Sequence, residues 1–269
     1  CKYKMKIFDC FMYFDEDLLL DLRLNILNDF VDKFVIVESN YDHQGNKKTL
    51  NFKFDNFSKF RDKINYIKLN NFPQNLTSWQ RENYNRNFLI NGLNEATQND
   101  YVMISDLDEI PKIENLDIFK KKKYTVFKQK MFYYKFNLHN VSEPNWIGTR
   151  ACKKKHLISP QWIRNKKIKN YSKWRIDKFF ELYNWNIVDE GGWHFSYVMS
   201  NIMIQQKIKS IAHSEFNKSE FSDINNIDKN IKMEKDLFGR PFKFIKYTDE
   251  KKLPDYLIFN KHKYLDLLI

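Results

Sequence analysis

The chain has 269 residues, of which 42% are hydrophobic and 30% are charged. This balance excludes a disordered chain, and the low content of 6 Gly and 6 Pro excludes a collagen-like or linker-rich one. The net charge of +12 comes mostly from lysines spread along the chain, which indicates compositional bias. We therefore predict a globular protein that does not bind nucleic acid. The alternative is a basic face that attracts an anionic substrate or membrane surface.

The sequence predicts no transmembrane segment. No apolar run approaches the roughly 18 to 20 residues that span a bilayer, and the mean hydropathy is −0.67. The cysteines, Cys1, Cys10 and Cys152, lack CxxC spacing, so neither a disulfide framework nor a zinc site is expected. We expect a cytoplasmic protein. Because the sequence begins with Cys rather than Met, an anchor removed upstream is the alternative.

The first hundred or so residues alternate between strand and helix patterns. An aromatic-rich segment predicts a strand at residues 5–14, a short apolar run predicts one at 33–37, and an alternating segment predicts one at 64–69. Residues 100–105 are the fourth predicted strand. Helical spacing predicts helices at residues 17–30 and 56–63, and another from Thr77 or Ser78 to about Thr97. Buried strands that alternate with helices indicate a mostly parallel sheet with helices on both faces.

The second half of the chain has a different pattern. Residues 124–138 alternate over a long aromatic stretch, which predicts antiparallel pairing. From residue 200 the pattern is helical, with an apolar face made by Ile202, Ile204, Ile208 and Ile211. No linker or repeat marks a boundary, so we predict one α/β domain.

The sharpest motif is an acidic segment, SDLDEIP at residues 105–111, directly after an apolar strand. If strand geometry persists, Asp106 and Asp108 point to the same side and converge. Converging carboxylates need a cation or hydrogen bonds, and hard oxygen ligands suit Mg²⁺ or Mn²⁺. The alternative is the N-cap of a helix, where the helix dipole stabilises acidic residues, with Pro111 just before the helical stretch.

Two arginines lie on the predicted helix that leads into this acidic strand. Glu82 and Arg86 are four residues apart and can form an ion pair on one helix face. Arg81 lies elsewhere on the circumference, where a guanidinium could bind a diphosphate with two hydrogen bonds. Alternatively, the arginines only stabilise the helix.

A further segment, DEGGWHFSY at residues 189–197, joins adjacent glycines to a histidine. The glycines indicate unusual backbone angles or a close approach. His194 could bind a metal or a phosphate, or be a core residue among aromatics. Asp189 or Glu190 could act as a general base, or be a surface carboxylate.

Glu38 and Ser39 follow a buried strand, where ligands of open α/β sheets bind. The fingerprints of dinucleotide-binding sites, P-loops and serine hydrolases are absent from the sequence.

Taken in order, these segments resemble glycosyltransferase family seventeen, the family of the bisecting N-acetylglucosaminyltransferase. The matching stretches are residues 9–11 (DCF) with 15–16 (DE), 34–40 (FVIVESN), 45–48 (GNKK) with Leu50, 79–87 (WQRENYNRN), 105–111 (SDLDEIP), 192–196 (GWHFS) and 207–217 (KIKSIAHSEFN).

The resemblance implies a GT-A fold, with a Rossmann-like mixed sheet flanked by helices in one domain. A nucleotide-binding half would occupy about residues 1–123 and an acceptor-binding half about 124–269. It implies a UDP-sugar donor, UDP-GlcNAc, a glycan acceptor, Mn²⁺ or Mg²⁺, and inversion at the anomeric carbon. UDP-Gal and UDP-Glc are the alternative donors. A catalytically dead relative that binds glycans, or a nucleic-acid-binding protein, is a further alternative.

The resemblance also implies roles for individual residues. Asp106 would face the ribose or the metal, Asp108 would be the principal metal ligand, and His194 a candidate second one. The resemblance carries over no base; Asp189 is the first choice because it lies just before the Gly-Gly-Trp-His segment, and Glu190 is the second. Glu38, Ser39, Arg81, Arg86 and Asp106 are the predicted donor-binding residues. Unlike the animal enzymes of the family, the sequence shows no anchor or stem, which suggests a microbial or viral enzyme that builds a surface glycan.

Overall fold

The computed structural model describes residues 5–168, 183–210 and 219–269. Within these ranges, eleven strands form one mixed sheet. In order, the strands of its main path are Phe244–Lys246, Leu138–Asn140, Tyr124–Tyr133, Asn145–Lys153, Tyr101–Ile104, Ile7–Met12, Lys33–Ser39 and Ile64–Leu69. The strands Glu109–Pro111, Trp185–Val188 and Gly192–Ser196 pair beside that path. The sheet and its flanking helices confirm the predicted α/β class and the single domain.

The predicted parallel strands form one side of the sheet. They are β1 (Ile7–Met12), β2 (Lys33–Ser39), β3 (Ile64–Leu69) and β4 (Tyr101–Ile104). β1 pairs in parallel with both β2 and β4, and β2 pairs in parallel with β3. Their carboxyl ends therefore lie along one edge.

The helices of this half are shorter than predicted. α1 spans Asp17–Leu27, and the stretch predicted as a helix at residues 56–63 is a 3-10 helix over Phe54–Phe60. α2 spans Ser78–Phe88, starts at a Thr77–Gln80 capping box, and passes into a 3-10 turn, Leu89–Gly92. Gly92 packs so closely on Val35 that an added Cβ would lie 2.2 Å from a valine methyl. This non-local contact accompanies the early end of the α-helical geometry.

The other side of the sheet is mainly antiparallel. Its strands are β5 (Glu109–Pro111), β6 (Tyr124–Tyr133), β7 (Leu138–Asn140), β8 (Asn145–Lys153), β9 (Trp185–Val188), β10 (Gly192–Ser196) and β11 (Phe244–Lys246). The antiparallel pairing predicted for residues 124–138 is confirmed with β7 and β8, whereas β9 and β10 pair with β6 in parallel. The predicted strand is broken after Tyr133, because Tyr134 adopts a φ of 62°.

The remaining described helices cover the sheet. They are α3 (Pro160–Arg164), α4 (Asn201–Ser210), α5 (Ser219–Ser222), α6 (Ile224–Lys232) and α7 (Asp255–Phe259). Short 3-10 helices span Leu116–Phe119, Lys154–His156, Glu250–Lys252, Lys261–Lys263 and Leu265–Leu267. Ile204 and Ile208 of α4 are buried as predicted, but Ile202 is 59% exposed, and Ile211 lies outside the described residues.

The core lies on both faces of the sheet because side chains of each strand alternate. Ile7 and Phe11 of β1 pack on the face that carries α1 and α7, while Phe8 and Cys10 pack on the face of α3. Among the described residues no helix has the length and apolar character needed to cross a bilayer. The division into halves near residue 123 stays a prediction.

Candidate active site

A cavity of about 280 Å³ opens at the carboxyl ends of β1, β2 and β4. This is the edge at which ligands bind in open α/β sheets. Ser39, Arg86, Asp106, Asp108 and His194 all line it. The other lining residues are Met12, Tyr13, Phe14, Glu16, Tyr41, Asp42, His43, Lys48, Glu82, Asn85, Leu107, Tyr197, Lys207 and Ser210.

The acidic segment leaves β4 as a turn. The Glu109 amide donates to the Asp106 carbonyl oxygen over 3.1 Å, and the chain then enters β5. The condition of continued strand geometry is therefore not met, and the alternative of a helix N-cap before Pro111 is also wrong. The turn still places both Asp106 and Asp108 at the cavity.

Asp106 is neutralised by two arginines. Its Oδ1 lies 3.0 Å from Arg86 Nη2, and its Oδ2 lies 3.0 Å from Arg164 Nη2. Burial favours the neutral acid, but Arg164 and then Arg86 outweigh it, and the pKa of Asp106 falls well below its usual range. The predicted ion pair between Arg86 and Glu82 is confirmed at 2.7 Å.

Asp108 faces a histidine and a lysine. Its Oδ1 lies 3.7 Å from His194 Nε2, and its Oδ2 lies 3.3 Å from Lys207 Nζ. The Lys207 ammonium also lies 3.6 Å from Glu16 Oε1. Burial disfavours the charged lysine, but Asp108 and Glu16 outweigh this and raise the pKa of Lys207. The backbone fixes His194 nearby, since the next residue, Phe195, donates its amide to the Asp108 carbonyl.

A buried arginine supports the acidic turn from behind. Arg23 of α1 is fully buried and binds both carboxylate oxygens of Asp9, at 2.8 and 2.7 Å. It also donates to the Ser105 hydroxyl and to the carbonyl oxygens of three turn residues: Asp106, Leu107 and Glu109. Five acceptor groups therefore hold one guanidinium, which fixes the shape of the turn.

Glu109 anchors the turn on its other side. Its buried carboxylate accepts two hydrogen bonds from Arg164, at 2.7 and 2.8 Å, and one from Trp146 Nε1 at 2.6 Å. It also accepts from the Asp106 amide at 3.1 Å. Arg164 thus joins the buried Glu109 to the cavity residue Asp106. The carboxylates of Glu109 and Asp106 therefore both have fixed partners.

Two of the predicted donor-binding residues lie outside the cavity lining. Glu38 is fully buried behind it and binds Lys48, the Tyr66 hydroxyl and two backbone amides. Arg81 donates to the carbonyl oxygens of His43, Gln44 and Leu76. Its contacts therefore shape the loop after β2.

Neither predicted base lines the cavity. The Asp189 side chain is 74% exposed and lies 3.2 Å from Lys128 Nζ, and the Glu190 side chain is 64% exposed and lies 3.3 Å from Lys130 Nζ. The adjacent glycines do mark a close approach, since an added Cβ on Gly192 would lie 2.2 Å from the Ile110 carbonyl oxygen. The strand pairing of β10 with β5 accounts for that approach.

The described side chains fit a divalent cation only if a ligand completes its coordination. They contain no cluster of three potential metal-binding acidic, histidine or cysteine residues. Of the three predicted metal ligands, Asp106 is paired with arginines, so Asp108 and His194 remain as ligands. The buried His194 Nδ1 has no hydrogen-bond partner among the described residues. Mg²⁺ often binds one or two carboxylates together with substrate phosphates, and Mn²⁺ accepts similar oxygen ligands. A cation shared with a diphosphate therefore fits this pair.

Sequence reasoning missed Arg23, Arg164 and Lys207. Each reaches the acidic turn from far along the chain, and Lys207 and Asp108 are 99 positions apart. Only Lys207 fell in a segment that resembles the family. Two other members of that segment, His213 and Glu215, lie outside the described residues.

Comparisons with known proteins show the family of the chain. A family model described as glycosyltransferase family 17 matches residues 1–268. Over 103 residues, the chain is 35% identical to the human and rat proteins named β-1,4-mannosyl-glycoprotein 4-β-N-acetylglucosaminyltransferase, and 34% identical to the mouse protein of the same name. These alignments cover 35% of this chain and 19% of each relative.

Proposed function

Because the chain belongs to glycosyltransferase family 17, we propose that it transfers N-acetylglucosamine from UDP-GlcNAc to a glycan acceptor, with inversion at the anomeric carbon. The observation that carries the proposal is the cavity at the parallel strand ends, where Ser39, Arg86 and the acidic turn meet. The names of the mammalian relatives support the sugar. UDP-Gal and UDP-Glc are the alternative donors, and a GT-A fold is part of the proposal.

The donor's nucleotide would lie across the ends of β1 and β2. Ser39 is at the end of β2, and the Arg86 guanidinium offers charged hydrogen bonds to the diphosphate. Asp106 faces the same cavity, with its carboxylate oriented by two arginines, and can accept a hydrogen bond from a ribose hydroxyl. Asp108 and His194 would hold Mn²⁺ or Mg²⁺, which supplies positive charge to offset the departing UDP.

An inverting transfer also needs a base for the acceptor hydroxyl. Five described carboxylates line the cavity: Glu16, Glu82, Asp106 and Asp108 lie beside cations, and Asp42 accepts hydrogen bonds from Asn46. We retain Asp189, with Glu190 second, as the proposed base, supported by their place beside the Gly191–Gly192 pair. Their exposure requires the acceptor to bind outside the cavity lining.

The base assignment predicts a separation of two activities. Asp189→Asn should keep binding and hydrolysing the UDP-sugar, because the cavity is unchanged, but should lose transfer by about 10²-fold or more. Both rates are measured on the same preparation, with Glu190→Gln as the matched variant. Transfer at the parental rate would remove Asp189 from the mechanism.

The proposed donor site is tested by UDP release from a panel of sugar nucleotides, with and without Mn²⁺. This assay needs no knowledge of the acceptor. We expect release from UDP-GlcNAc to exceed that from UDP-Gal and UDP-Glc, and Asp108→Asn to reduce it by about 10²-fold or more, because a fixed carboxylate is lost where the charge of UDP must be offset. The control is Asp117→Asn, an exposed carboxylate that pairs with Lys120 and is not among the described residues that line the cavity.

Release that is unchanged in a folded Asp108→Asn variant would exclude this carboxylate from the site. Release from none of the UDP-sugars by the parent protein would contradict the proposed donor class.

A further inference from the structure

Lys207 is the most loosely held of three cations in the described part of the cavity. Its ammonium lies 3.3 Å from Asp108 and 3.6 Å from Glu16. In contrast, Arg86 lies 2.7 Å from Glu82 and 3.0 Å from Asp106, and Lys48 lies 2.8 Å from Glu38. Both Lys207 separations exceed those of an ordinary N–H···O hydrogen bond, so the ammonium gives up no close hydrogen bond when it turns to another anion.

The position of Lys207 also suits an incoming anion. It lies on α4, lines the cavity, and its side chain is 22% exposed. A lysine ammonium is a compact charge with three donors on a flexible four-carbon stem, so it can move between acceptors without a change of backbone. Asp108, the neighbour it would leave, is the carboxylate proposed to hold a divalent cation.

We propose that Lys207 is a diphosphate-binding residue. In the donor-free protein its ammonium neutralises Asp108 and Glu16. When the donor binds, the ammonium donates to oxygens of the diphosphate and releases Asp108 to the divalent cation. The cation and Lys207 thereby exchange places at one carboxylate. This inference rests on the proposed function for the identity of the donor, but not for the anion site itself.

The direct test measures binding of inorganic pyrophosphate and of UDP by calorimetry, in EDTA to remove divalent cations. Lys207→Gln should weaken both by about tenfold or more, the usual effect of losing a charged hydrogen bond. The matched control is Lys209→Gln, because Lys209 lies on the same helix with its side chain exposed to solvent. It should leave both affinities within about twofold of the parent, as expected for a surface substitution.

A second variant tests the competition between Asp108 and the phosphate. Asp108→Asn removes the carboxylate that holds the ammonium, so in EDTA it should bind pyrophosphate several-fold more tightly than the parent. Adding Lys207→Gln to Asp108→Asn should abolish that gain. If Lys207 only balances the charge of Asp108, the effects of the two substitutions on the free energy of pyrophosphate binding should be additive.

The substitution Lys207→Gln leaves two carboxylates without their cation and can destabilise the protein. Lys207→Arg keeps the charge, and we expect it to bind pyrophosphate within a few-fold of the parent. Together with Asp108→Asn, it gives a readout that survives if Lys207→Gln does not fold.

The outcomes separate this inference from the proposed function. If pyrophosphate binds through Lys207 but UDP does not bind even with Mn²⁺ restored, the donor assignment fails and the diphosphate site stands. If UDP binds Lys207→Gln as tightly as the parent, the inference is overturned and the proposed donor stands. If the parent binds neither probe, in EDTA or with Mn²⁺ restored, both are overturned.

Discussion

Arg81 and Arg86, five positions apart on α2, have different surroundings. Arg81 donates hydrogen bonds to three backbone carbonyls around the loop after β2, whereas Arg86 lies in the cavity between Glu82 and Asp106. Helical spacing alone could place them on different sides, but could not show which side faces the ligand. The structure places Arg81 at the loop and Arg86 at the cavity.

These contacts predict that one substitution mainly lowers stability and another mainly lowers UDP affinity. Arg81→Ala should lower the free energy of unfolding by about 1–3 kcal/mol, because carbonyls lose charged donors, and should leave UDP affinity within about twofold of the parent. Arg86→Lys keeps the charge but loses the planar guanidinium, so it should weaken UDP binding several-fold with a smaller loss of stability. Denaturant titration and calorimetry measure the two quantities. A large loss of UDP affinity in Arg81→Ala would restore Arg81 to the donor site.

At the scale of elements, β10 carries His194 into the cavity only because Gly192 lets it pack against β5. Gly192 has a φ of +125°, and an added Cβ would also lie 2.7 Å from the Lys112 amide nitrogen. Both the backbone angle and the contact exclude a side chain. The glycine therefore positions a proposed site residue two places further along the strand.

Gly192→Ala should destabilise the protein by about 1–3 kcal/mol or more, because it adds backbone strain to a clash with backbone atoms. The matched control is Gly239→Ala. Gly239 also has a positive φ, +74°, but no described atom lies within 4 Å of the position that an added Cβ would take. Thermal unfolding of the two variants separates the cost of the angle from the cost of the contact. If Gly192→Ala and Gly239→Ala lose the same stability relative to the parent, the contact with Ile110 is unimportant.

The sequence predicted the elements whose signals are local. β1 to β4 have local apolar or alternating patterns, and the Thr77–Gln80 cap is a short motif, so both could be predicted from the sequence. The end of α2 could not be predicted, because it involves Gly92 packing on β2 from across the fold. In the site, Asp106 and Asp108 stand out at a strand end. Arg164 and Arg23 reach them only through tertiary contacts, which single-sequence patterns do not contain.

At the scale of the whole molecule, the charge of +12 is spread over the chain, while the described cavity lining has five carboxylates and three lysine or arginine side chains. Arg86 and Lys207 each lie beside two carboxylates there. The excess positive charge therefore lies mainly outside the site. It will attract polyanions weakly and without sequence preference.

Binding to duplex DNA should accordingly be weak, insensitive to sequence, and largely lost between about 50 and 200 mM salt. UDP affinity should fall much less over the same range, because partly buried contacts are screened less than exposed charges. Fluorescence titrations at several salt concentrations measure both. DNA binding that persists at the higher salt and depends on sequence would instead indicate a nucleic-acid-binding function.

The contacts of the Arg23 guanidinium affect when the protein can fold during its synthesis. The carbonyls that it binds belong to residues 83, 84 and 86 positions later in the chain. While the chain emerges from the ribosome, α1 is complete long before these acceptors exist, and of the five acceptor groups named above only Asp9 is then already synthesised. Burying a charged group with few partners is costly. The first three strands therefore cannot pack around Arg23 with full stability until the acidic turn has been translated. The sheet of the nascent chain thus becomes stable only when residues that line the cavity are present.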